Sequence, residues 1–359
     1  MLAELVDHVI GVDPDRDWIT VAALDARTSG VIATDRFPAS RDGYRDAMLW
    51  ADASTTASER AWVIEGTASY GRGLTMALQR NAELVVEFDR PTRKATKDGA
   101  KSDALDAIRA AREALGRDKL AQPRAHDGIR EAIRVHTVAR AAAVRAHTAA
   151  VNELKAFIVT ADEQLRAELR GLRTNKVVAR SSRFRDSAAR PIDERCTRNA
   201  MRALARRAQH LEAEIADHDT ILKQLLDDAA PQLIAERGVG YVTAAAFYLA
   251  WSHPGRCHSE AAYARLGGTA PIEVTSGQNQ DRHRLCRGGD RQLNRALYLV
   301  AVTRQRCCPD TQDYMTRRTS QGKTQREATR CLKRFIARRV WRLLEHPELH
   351  PVSYTHLTL

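Results

Sequence analysis

The sequence predicts an α/β unit with a mixed sheet at the start of the chain, followed by a region that is mainly helical. Over residues 8–88, short apolar strands alternate with helices, which is typical of an α/β fold. From residue 129 on, helix-forming stretches rich in Ala and Arg predominate. Within them, apolar residues recur four and three apart, and this heptad spacing predicts a long helical arm of the coiled-coil type.

Composition narrows the class of protein. The chain has 359 residues, a length that suits two or three domains. With 43% hydrophobic and 28% charged residues it can form a core. A net charge of +12 favours a polyanionic partner such as nucleic acid. We expect a cytoplasmic protein with reduced thiols, because there is no leader pattern, no long apolar run and no CxxC pair.

The first unit opens with three strands over residues 8–37, HVIGVD, WITVAAL and GVIATDRF, of which the first two are expected to pair antiparallel. The fourth strand, Ala61–Glu65, is wholly apolar before its acid, which fits a strand buried on both faces. The remaining predicted elements of this unit are the helices Arg41–Ala53 and Tyr70–Gln79 and the strand Glu83–Phe88.

A basic segment with Pro and Gly, Arg90–Lys101, follows the fifth strand and is predicted to be a loop. It is either a solvated linker or a loop that contacts phosphates. Ser102 is positioned to cap a helix over Asp103–Leu115. Asp103 and Asp106 are three residues apart and therefore project from one face of that helix.

Four carboxylates thus come from separate elements of one sheet unit: Asp13, Glu65, Asp103 and Asp106. Carboxylate oxygens are the ligands that Mg²⁺ and Mn²⁺ prefer. Two such ions about 4 Å apart can activate a nucleophile and stabilise the leaving oxygen in phosphoryl transfer. The pattern predicts a site for Mg²⁺ or Mn²⁺ that holds two ions.

The middle of the chain predicts two long helices, from Ile129 to about Leu172 and from Pro191 to about Leu226, separated by the basic, helix-breaking segment Asn175–Arg190. The second helix carries a heptad seam. An intramolecular helical hairpin and a dimerising coiled coil both fit that seam, and His218 within it is interpreted as a core residue. The seam consists of Leu204, Ala208, Leu211, Ile215, His218, Leu222 and Leu225.

Residues 232–347 predict a third unit, mostly helical and basic. Gly238 and Gly240 predict a turn before a helix, which either offers N–H groups to a phosphate or simply joins two helices. Tyr263–Ser276 predicts the end of a helix, a glycine turn and a short strand. Two amphipathic helices rich in arginine are expected at Asp290–Arg304 and Lys323–Leu344.

The acidic motifs resemble those of the DEDD transposases of insertion-sequence family 110. That family has GVD on its first strand, E after an apolar strand and KSDxxDA on a helix, and these stand here at Gly11–Asp13, Val63–Glu65 and Lys101–Ala107. Downstream, the segments GVGYVTAA, YARLGGTAPIEVTSG and RLCRGGDRQLNRALY resemble its C-terminal transposase domain. The resemblance covers residues 8–347.

This resemblance implies a fold and a division into domains. Residues 1–125 would form an RNase H-like (RuvC-like) catalytic domain, 126–230 a coiled-coil dimerisation arm and 231–347 the transposase domain. Beyond the resemblance, residues 348–359 are expected to be a tail that is disordered or non-native, because His350–Leu359 have no charged side chain other than the histidines. The implied assembly is a homodimer or tetramer, in which the serine of one protomer meets the acids of another. The implied location is the nucleoid of a bacterial cytoplasm.

The resemblance also implies a reaction, namely DNA strand cleavage and exchange guided by a structured RNA that the element encodes. Asp13, Glu65, Asp103 and Asp106 would bind the metal ions. Ser276 would be the nucleophile that forms a phosphoserine–DNA link, although Thr275 beside it is a second hydroxyl. The expected nucleic-acid contacts are Arg90, Arg93, Lys94, Lys97, Lys101, Arg282, Arg284, Arg287 and Arg291.

Two other functions fit the residues. One is a metal-dependent nuclease of the Holliday-junction type that uses water and leaves Ser276 idle. The other is a decayed transposase that binds nucleic acid without catalysis. The presence of all four acids and the serine argues against the second.

Overall fold

The computed structural model describes residues 1–55, 59–88, 102–117, 120–125, 127–273, 283–285 and 288–349. The chain divides into two compact units. The first consists of Met1–Gly128 together with Trp251–Ser259, and the second of Ile129–Ala250 together with Glu260–Leu359. The division at residues 125, 230 and 347 stays a prediction, and the tail from residue 350 lies outside the described residues.

The first unit is built on a five-stranded sheet, and the α/β fold with a mixed sheet is confirmed. The strand order is β3-β2-β1-β4-β5, with β1, β2 and β3 antiparallel and β1, β4 and β5 parallel. The strands are β1 His8–Pro14, β2 Trp18–Asp25, β3 Val31–Pro38, β4 Arg60–Glu65 and β5 Leu84–Phe88. The helices are α1 Arg41–Ser54, α2 Arg72–Arg80 and α3 Asp103–Leu115.

Helices cover both faces of this sheet, which explains why its central strands are apolar without alternation. Val9 and Val63 point to the face covered by α3, where they pack with Ala107 and Ala111. The intervening side chains point to the other face and pack against α1 and α2. Side chains alternate across a strand, so residues two apart along β1 share a face.

The second unit begins with a helical hairpin formed by the two longest helices, α4 Gly128–Thr160 and α7 Ile192–Ala229. His136 Nδ1 lies 3.0 Å from His218 Nδ1, whereas Val151 packs in one cluster with Ala205. Residues further along α4 therefore contact residues nearer the start of α7, so the two helices run antiparallel. The residue expected to lie in the core, His218, is half-buried against α4 of the same chain.

The segment expected to break the helical pattern contains a helix of its own, and that prediction was wrong. Between α4 and α7 lie α5 Glu163–Leu169 and α6 Thr174–Ser181. Val177 and Val178 of α6 are buried in the cluster that joins α4 and α7. This burial stabilises a turn of helix that the basic composition of the segment did not predict, because tertiary packing overrides local propensity.

The rest of the second unit consists of helices and a small hairpin of strands. Its described elements are α8 Pro231–Ile234, α9 Tyr241–Trp251, α10 Glu260–Leu266, β6 Pro271–Glu273, β7 His283–Leu285, α11 Arg291–Cys307, α12 Pro309–Ser320 and α13 Gln325–Glu345. Two carboxylates pair with one arginine of α11 and three of α13. Glu236 accepts from Arg304 and Arg339, and Glu260 pairs with Arg338 and Arg342.

None of the helices in the described ranges is both long and apolar enough to cross a membrane.

Candidate active site

Two of the four acids leave the sheet side by side. β1 and β4 pair in parallel up to Val12 and Ile64, so Asp13 and Glu65 are the next residues on adjacent strands. Asp13 and Glu65 lie on the face of the sheet that α3 covers, because they are two residues after Gly11 and Val63, which pair on that face. Two carboxylates therefore stand at one edge and on one face of the sheet.

The strand that carries Glu65 ends abruptly after it. Gly66 has a φ of +67°, a conformation that favours glycine, and its carbonyl accepts from Ser69 N at 2.9 Å. The chain thus turns away from the sheet directly after Glu65, which places that carboxylate at the edge. A residue with a side chain at position 66 would be strained there.

The other two acids lie on α3, which approaches β1 more closely than side chains would allow. A Cβ added to Gly11 would lie 2.0 Å from the carbonyl oxygen of Ala107. Gly11 therefore permits direct contact between strand and helix. Ala107 follows Asp106 directly, so this contact fixes the first turn of α3 near the end of β1.

The direction of α3 follows from a contact at its other end. Arg112 Nε donates to the carbonyl of Ser29 at 3.3 Å, in the turn after β2. That turn lies at the start of β1, because Asp25 pairs with His8. The N-terminal turn of α3, with Asp103 and Asp106, therefore lies towards the Asp13 end. Ser102 caps it as predicted, accepting from Leu105 N at 3.3 Å.

The four acids share one end of the sheet without forming a closed ligand set. Asp106 is half-buried and accepts from Arg109 Nη1 at 2.7 Å, while Asp103 is exposed. Within the described ranges, no three His, Cys, Asp or Glu side chains are grouped closely enough to hold a metal ion. The donors are hard oxygens of the kind that divalent cations prefer, so their chemistry fits the predicted ions.

A buried polar network behind Glu65 was not predicted. The fully buried Thr67 donates a hydrogen bond from its hydroxyl to Glu87 Oε1 at 2.9 Å. Arg256 Nη2 lies 3.8 Å from Glu87 Oε2, with both side chains almost fully buried. Arg256 is 169 positions from Glu87, so no spacing in the sequence signals this contact. The one visible signal is the acid at position 87 within an apolar strand.

Arg256 belongs to the segment Trp251–Ser259, which packs with the first unit. Ser252 Oγ accepts from Ala125 N at 3.0 Å, and His253 Nε2 lies 3.1 Å from the carbonyl of Pro123. Together with Met76 and Arg80 of α2, His253 lines an open pocket of about 280 Å³. This segment thus completes the surface beside β5.

The predicted nucleophile lies outside the described residues, as does Thr275. The described strands on either side of it are β6 and β7, which pair antiparallel from Pro271 with Leu285 to Glu273 with His283. Arg284 lies on β7 opposite Ile272, and Arg291 is an exposed residue at the start of α11. The other predicted nucleic-acid contacts, also outside the described residues, are Arg90, Arg93, Lys94, Lys97, Lys101, Arg282 and Arg287.

Polar contacts that were not predicted hold the chain leading into β6. Asn294 of α11 donates from Nδ2 to the carbonyl of Gly267 at 2.6 Å and accepts from Lys333 Nζ at 2.8 Å. Burial lowers the pKa of the Lys333 ammonium, and the nearby Arg330 lowers it further. Thus α11 and α13 together fix the backbone at Gly267.

The chain that follows β7 is fixed at the same point. Asp290 N donates to the carbonyl of Leu266 at 2.7 Å, and a Cβ on Gly289, whose φ is +105°, would lie 2.4 Å from that oxygen. Asp290 also caps α11 by accepting from Gln292 N and Leu293 N. The segments before β6 and after β7 therefore meet at Leu266.

Comparison with known families identifies two matching models. Residues 10–161 match the model of DEDD transposases of the IS110 type, described as "Transposase". Residues 232–316 match the model described as "Transposase IS116/IS110/IS902 family". The two matches lie in chain order and together cover well over half of the 359 residues.

Two curated relatives are similar in sequence. The "Insertion element IS900 uncharacterized 42 kDa protein" of Mycobacterium paratuberculosis is 28% identical over 156 residues, which are 42% of this chain and 39% of that protein. The "Insertion element IS110 uncharacterized 43.6 kDa protein" of Streptomyces coelicolor is 32% identical over 105 residues, 29% of this chain and 26% of that protein. The aligned region thus spans well under half of either relative.

Proposed function

Because the chain belongs to the IS116/IS110/IS902 family of transposases, we propose that it cleaves and exchanges DNA strands to move an insertion sequence. The observation that carries this proposal is the placement of the acids. Asp13 and Glu65 follow adjacent parallel strands on one face, and the contact between Gly11 and Ala107 brings the acidic turn of α3 to the same end. Carboxylates that converge at a strand end suit metal-assisted phosphoryl transfer.

In this proposal Asp13, Glu65, Asp103 and Asp106 hold two Mg²⁺ or Mn²⁺ ions. When bound, such ions activate a nucleophile and stabilise charge on the phosphate oxygens. Asp13 and Glu65 supply rigid ligands from the sheet. Asp106 has to exchange its ion pair with Arg109 for a metal, so Arg109 competes with cation binding.

Replacing one ligand tests the metal site. We expect Asp13→Asn to abolish strand cleavage and to weaken Mn²⁺ binding measured by calorimetry, while RNA binding persists, because the change removes a metal ligand and not a phosphate contact. Asp15→Asn makes the same chemical change on an exposed residue in the turn after β1 and should preserve both activities. Full cleavage by the Asp13→Asn protein would refute the assignment.

We further propose Ser276 as the nucleophile. Its hydroxyl oxygen attacks a DNA phosphorus, the 3′ oxygen of the cleaved strand leaves as a hydroxyl, and a phosphoserine link remains. The 3′ hydroxyl of a partner strand then reverses the step, so strands exchange without an energy-rich cofactor. A serine hydroxyl needs activation at neutral pH, and the acidic site supplies it.

A covalent adduct separates this mechanism from hydrolysis by water. Denatured reaction mixtures should contain a protein–DNA species that disappears in Ser276→Ala and persists in Thr275→Val. An adduct that survives Ser276→Ala would move the role to another hydroxyl. Cleavage products with no adduct in the wild-type protein would favour the water-using nuclease.

RNA guidance, the expected arginine and lysine contacts, and assembly into a dimer or tetramer are parts of the same proposal. The net charge of +12 supports a nucleic-acid partner. A structured guide RNA would set target and donor sequences by base pairing. Sequencing the RNA that copurifies with the protein tests this directly, and a heterogeneous mixture with no defined element transcript would contradict it.

A further inference from the structure

A strongly basic described surface of the second unit lies on the segment that joins α4 to α7. From Arg166 to Arg185, which we call the cap, the chain has seven cationic side chains and one carboxylate. Of the neighbouring acids, Asp162 caps α5 through Leu165 N and Asp186 pairs with Arg195. Glu163, in the first turn of α5, is exposed and forms no ion pair within the described ranges. This one carboxylate does not balance the positive charge of the cap.

The cap is a folded element and not a loose loop. Most of its large apolar side chains form one cluster with α4 and α7, which includes Leu169, Val178 and Phe184 from the cap, Leu154 from α4 and Met201 from α7. These side chains are all at most 8% exposed. Burial on one side leaves most polar side chains of α5 and α6 on the outer surface, at the end of the hairpin.

Most of the cationic groups on the cap are not neutralised. Its one carboxylate, Glu168, is shared by Arg180 and by Arg198 of α7. Six side chains are exposed and, within the described part of the chain, form no ion pair; they are Arg166, Arg170, Arg173, Lys176, Arg183 and Arg185.

This charge does not serve the stability of the cap. Lys176 lies in the first turn of α6, a turn that has no acid. The helix dipole disfavours a cation at that end. Like charges at helical spacing also destabilise a helix slightly. A high density of cations held on a rigid surface at such a cost fits a polyanionic partner.

We propose that the cap binds the phosphate backbone of duplex DNA. A duplex carries one negative charge per about 1.7 Å of axis, which matches a surface whose exposed side chains are rich in cations. Proteins that recognise single-stranded nucleic acid stack bases on exposed aromatic rings. The sole aromatic residue of the cap, Phe184, is buried at 8% exposure. The inference rests on the proposed function only in taking DNA as the partner.

Charge-matched variants of the full chain test the proposal. Arg170→Gln, Arg173→Gln and Lys176→Gln together remove three positive charges from the cap. Arg145→Gln, Lys155→Gln and Arg207→Gln remove three from exposed positions on the shaft of the same hairpin. Affinity for a fluorescent 30-base-pair duplex is measured at several salt concentrations, and thermal unfolding by circular dichroism confirms that both variants are folded.

We expect the cap variant to bind the duplex about tenfold or more weakly at 0.1 M salt, with the salt slope reduced by about three, one for each lost phosphate contact. The shaft variant should lose less than about threefold, the effect of net charge alone. Equal losses in the two variants would overturn the proposal.

A second measurement needs no substitution in the cap. Lys176 is the one lysine of the cap, so DNA should protect it from amine acylation detected by mass spectrometry. Lys223 is exposed on α7 about 46 Å from the start of that helix at Ile192, as the helical rise gives, and DNA should leave its reactivity unchanged. Unchanged labelling of Lys176 would refute the contact.

Competition distinguishes DNA from RNA. Unlabelled duplex DNA should displace the fluorescent duplex from the protein at a lower concentration than a structured RNA does. Displacement by the RNA at the lower concentration would reject DNA as the occupant. An Asp13→Asn protein should give the same protection, because neither measurement involves cleavage. Failure of the catalytic proposal would therefore leave this result standing.

Discussion

Gly11→Ala is the sharpest test of how the fold positions the acids. The added methyl would lie 2.0 Å from the carbonyl oxygen of Ala107, 2.9 Å from its carbonyl carbon and 3.0 Å from the Cβ of Ala111. Two of these atoms belong to the backbone, so no side-chain rotation can relieve the overlap. The helix α3 has to move away from β1.

The size of the effect follows from that displacement. An ordinary contact between a methyl and a carbonyl oxygen requires more than 3 Å, so the helix must shift by about 1 Å. A gap of that size forfeits a quarter to a half of the dispersion energy along the interface. Overpacking costs about 1–3 kcal/mol, and a backbone overlap belongs at the upper end. We expect the free energy of unfolding to fall by about 3 kcal/mol.

Catalysis should suffer in the protein that remains folded. Moving α3 carries Asp103 and Asp106 away from Asp13, and a misplacement of about 1 Å can reduce a rate about 100-fold. Denaturant unfolding measures the stability, and DNA cleavage at a temperature well below the unfolding midpoint measures the rate. Gly116→Ala is the control, because its Cβ would meet nothing nearer than 3.9 Å at the other end of the same helix. Stability and cleavage close to those of the control would refute the reasoning.

Two further substitutions test the chain leading into β6 and the helical hairpin of α4 and α7. Asn294→Ala should lower the free energy of unfolding by about 1–3 kcal/mol, because Lys333 Nζ and the Gly267 carbonyl both lose their hydrogen-bond partner. Asn294→Asp should recover part of the lost stability, since its carboxylate can still accept from Lys333. Unchanged stability in both variants would contradict the hydrogen bonds of Asn294. Arg195 lowers the pKa of the Asp186 carboxyl to about 2. A carboxyl with a depressed pKa stabilises the fold above its ordinary pKa, and this stabilisation is lost as the pH falls towards 2. Arg195→Gln should return the titration midpoint of Asp186, followed by carbon NMR, towards its ordinary value near 3.8; a midpoint that stays near 2 would assign the shift to another group.

Local sequence patterns were sufficient for most of the first unit. The apolar runs of β1 and β4 and the Ser102 cap of α3 are short-range signals, and each element lies where it was predicted. The position of α3 over Gly11 could not be predicted in the same way, since a glycine in a strand does not say which distant element approaches it. The four acids could be named from the sequence, but their arrangement could not.

In the second unit, the missed features depend on contacts between distant residues. α6 forms because Val177 and Val178 are buried against α4 and α7, whereas its own sequence is basic and polar. Asn294 and Lys333 are 39 positions apart and meet through the packing of α11 and α13. Neither the burial of α6 nor the contact between Asn294 and Lys333 has a spacing that a single sequence could reveal.

The nine residues Trp251–Ser259 affect how truncated fragments of this protein should be designed. They begin at the last residue of α9 but pack with the first unit, where Arg256 faces the buried carboxylate of Glu87. A fragment cut after residue 125 would lose the guanidinium that faces Glu87, and removing one partner of a buried ion pair is destabilising. Chimaeras that exchange the amino-terminal half between relatives should therefore carry this short insert along with it.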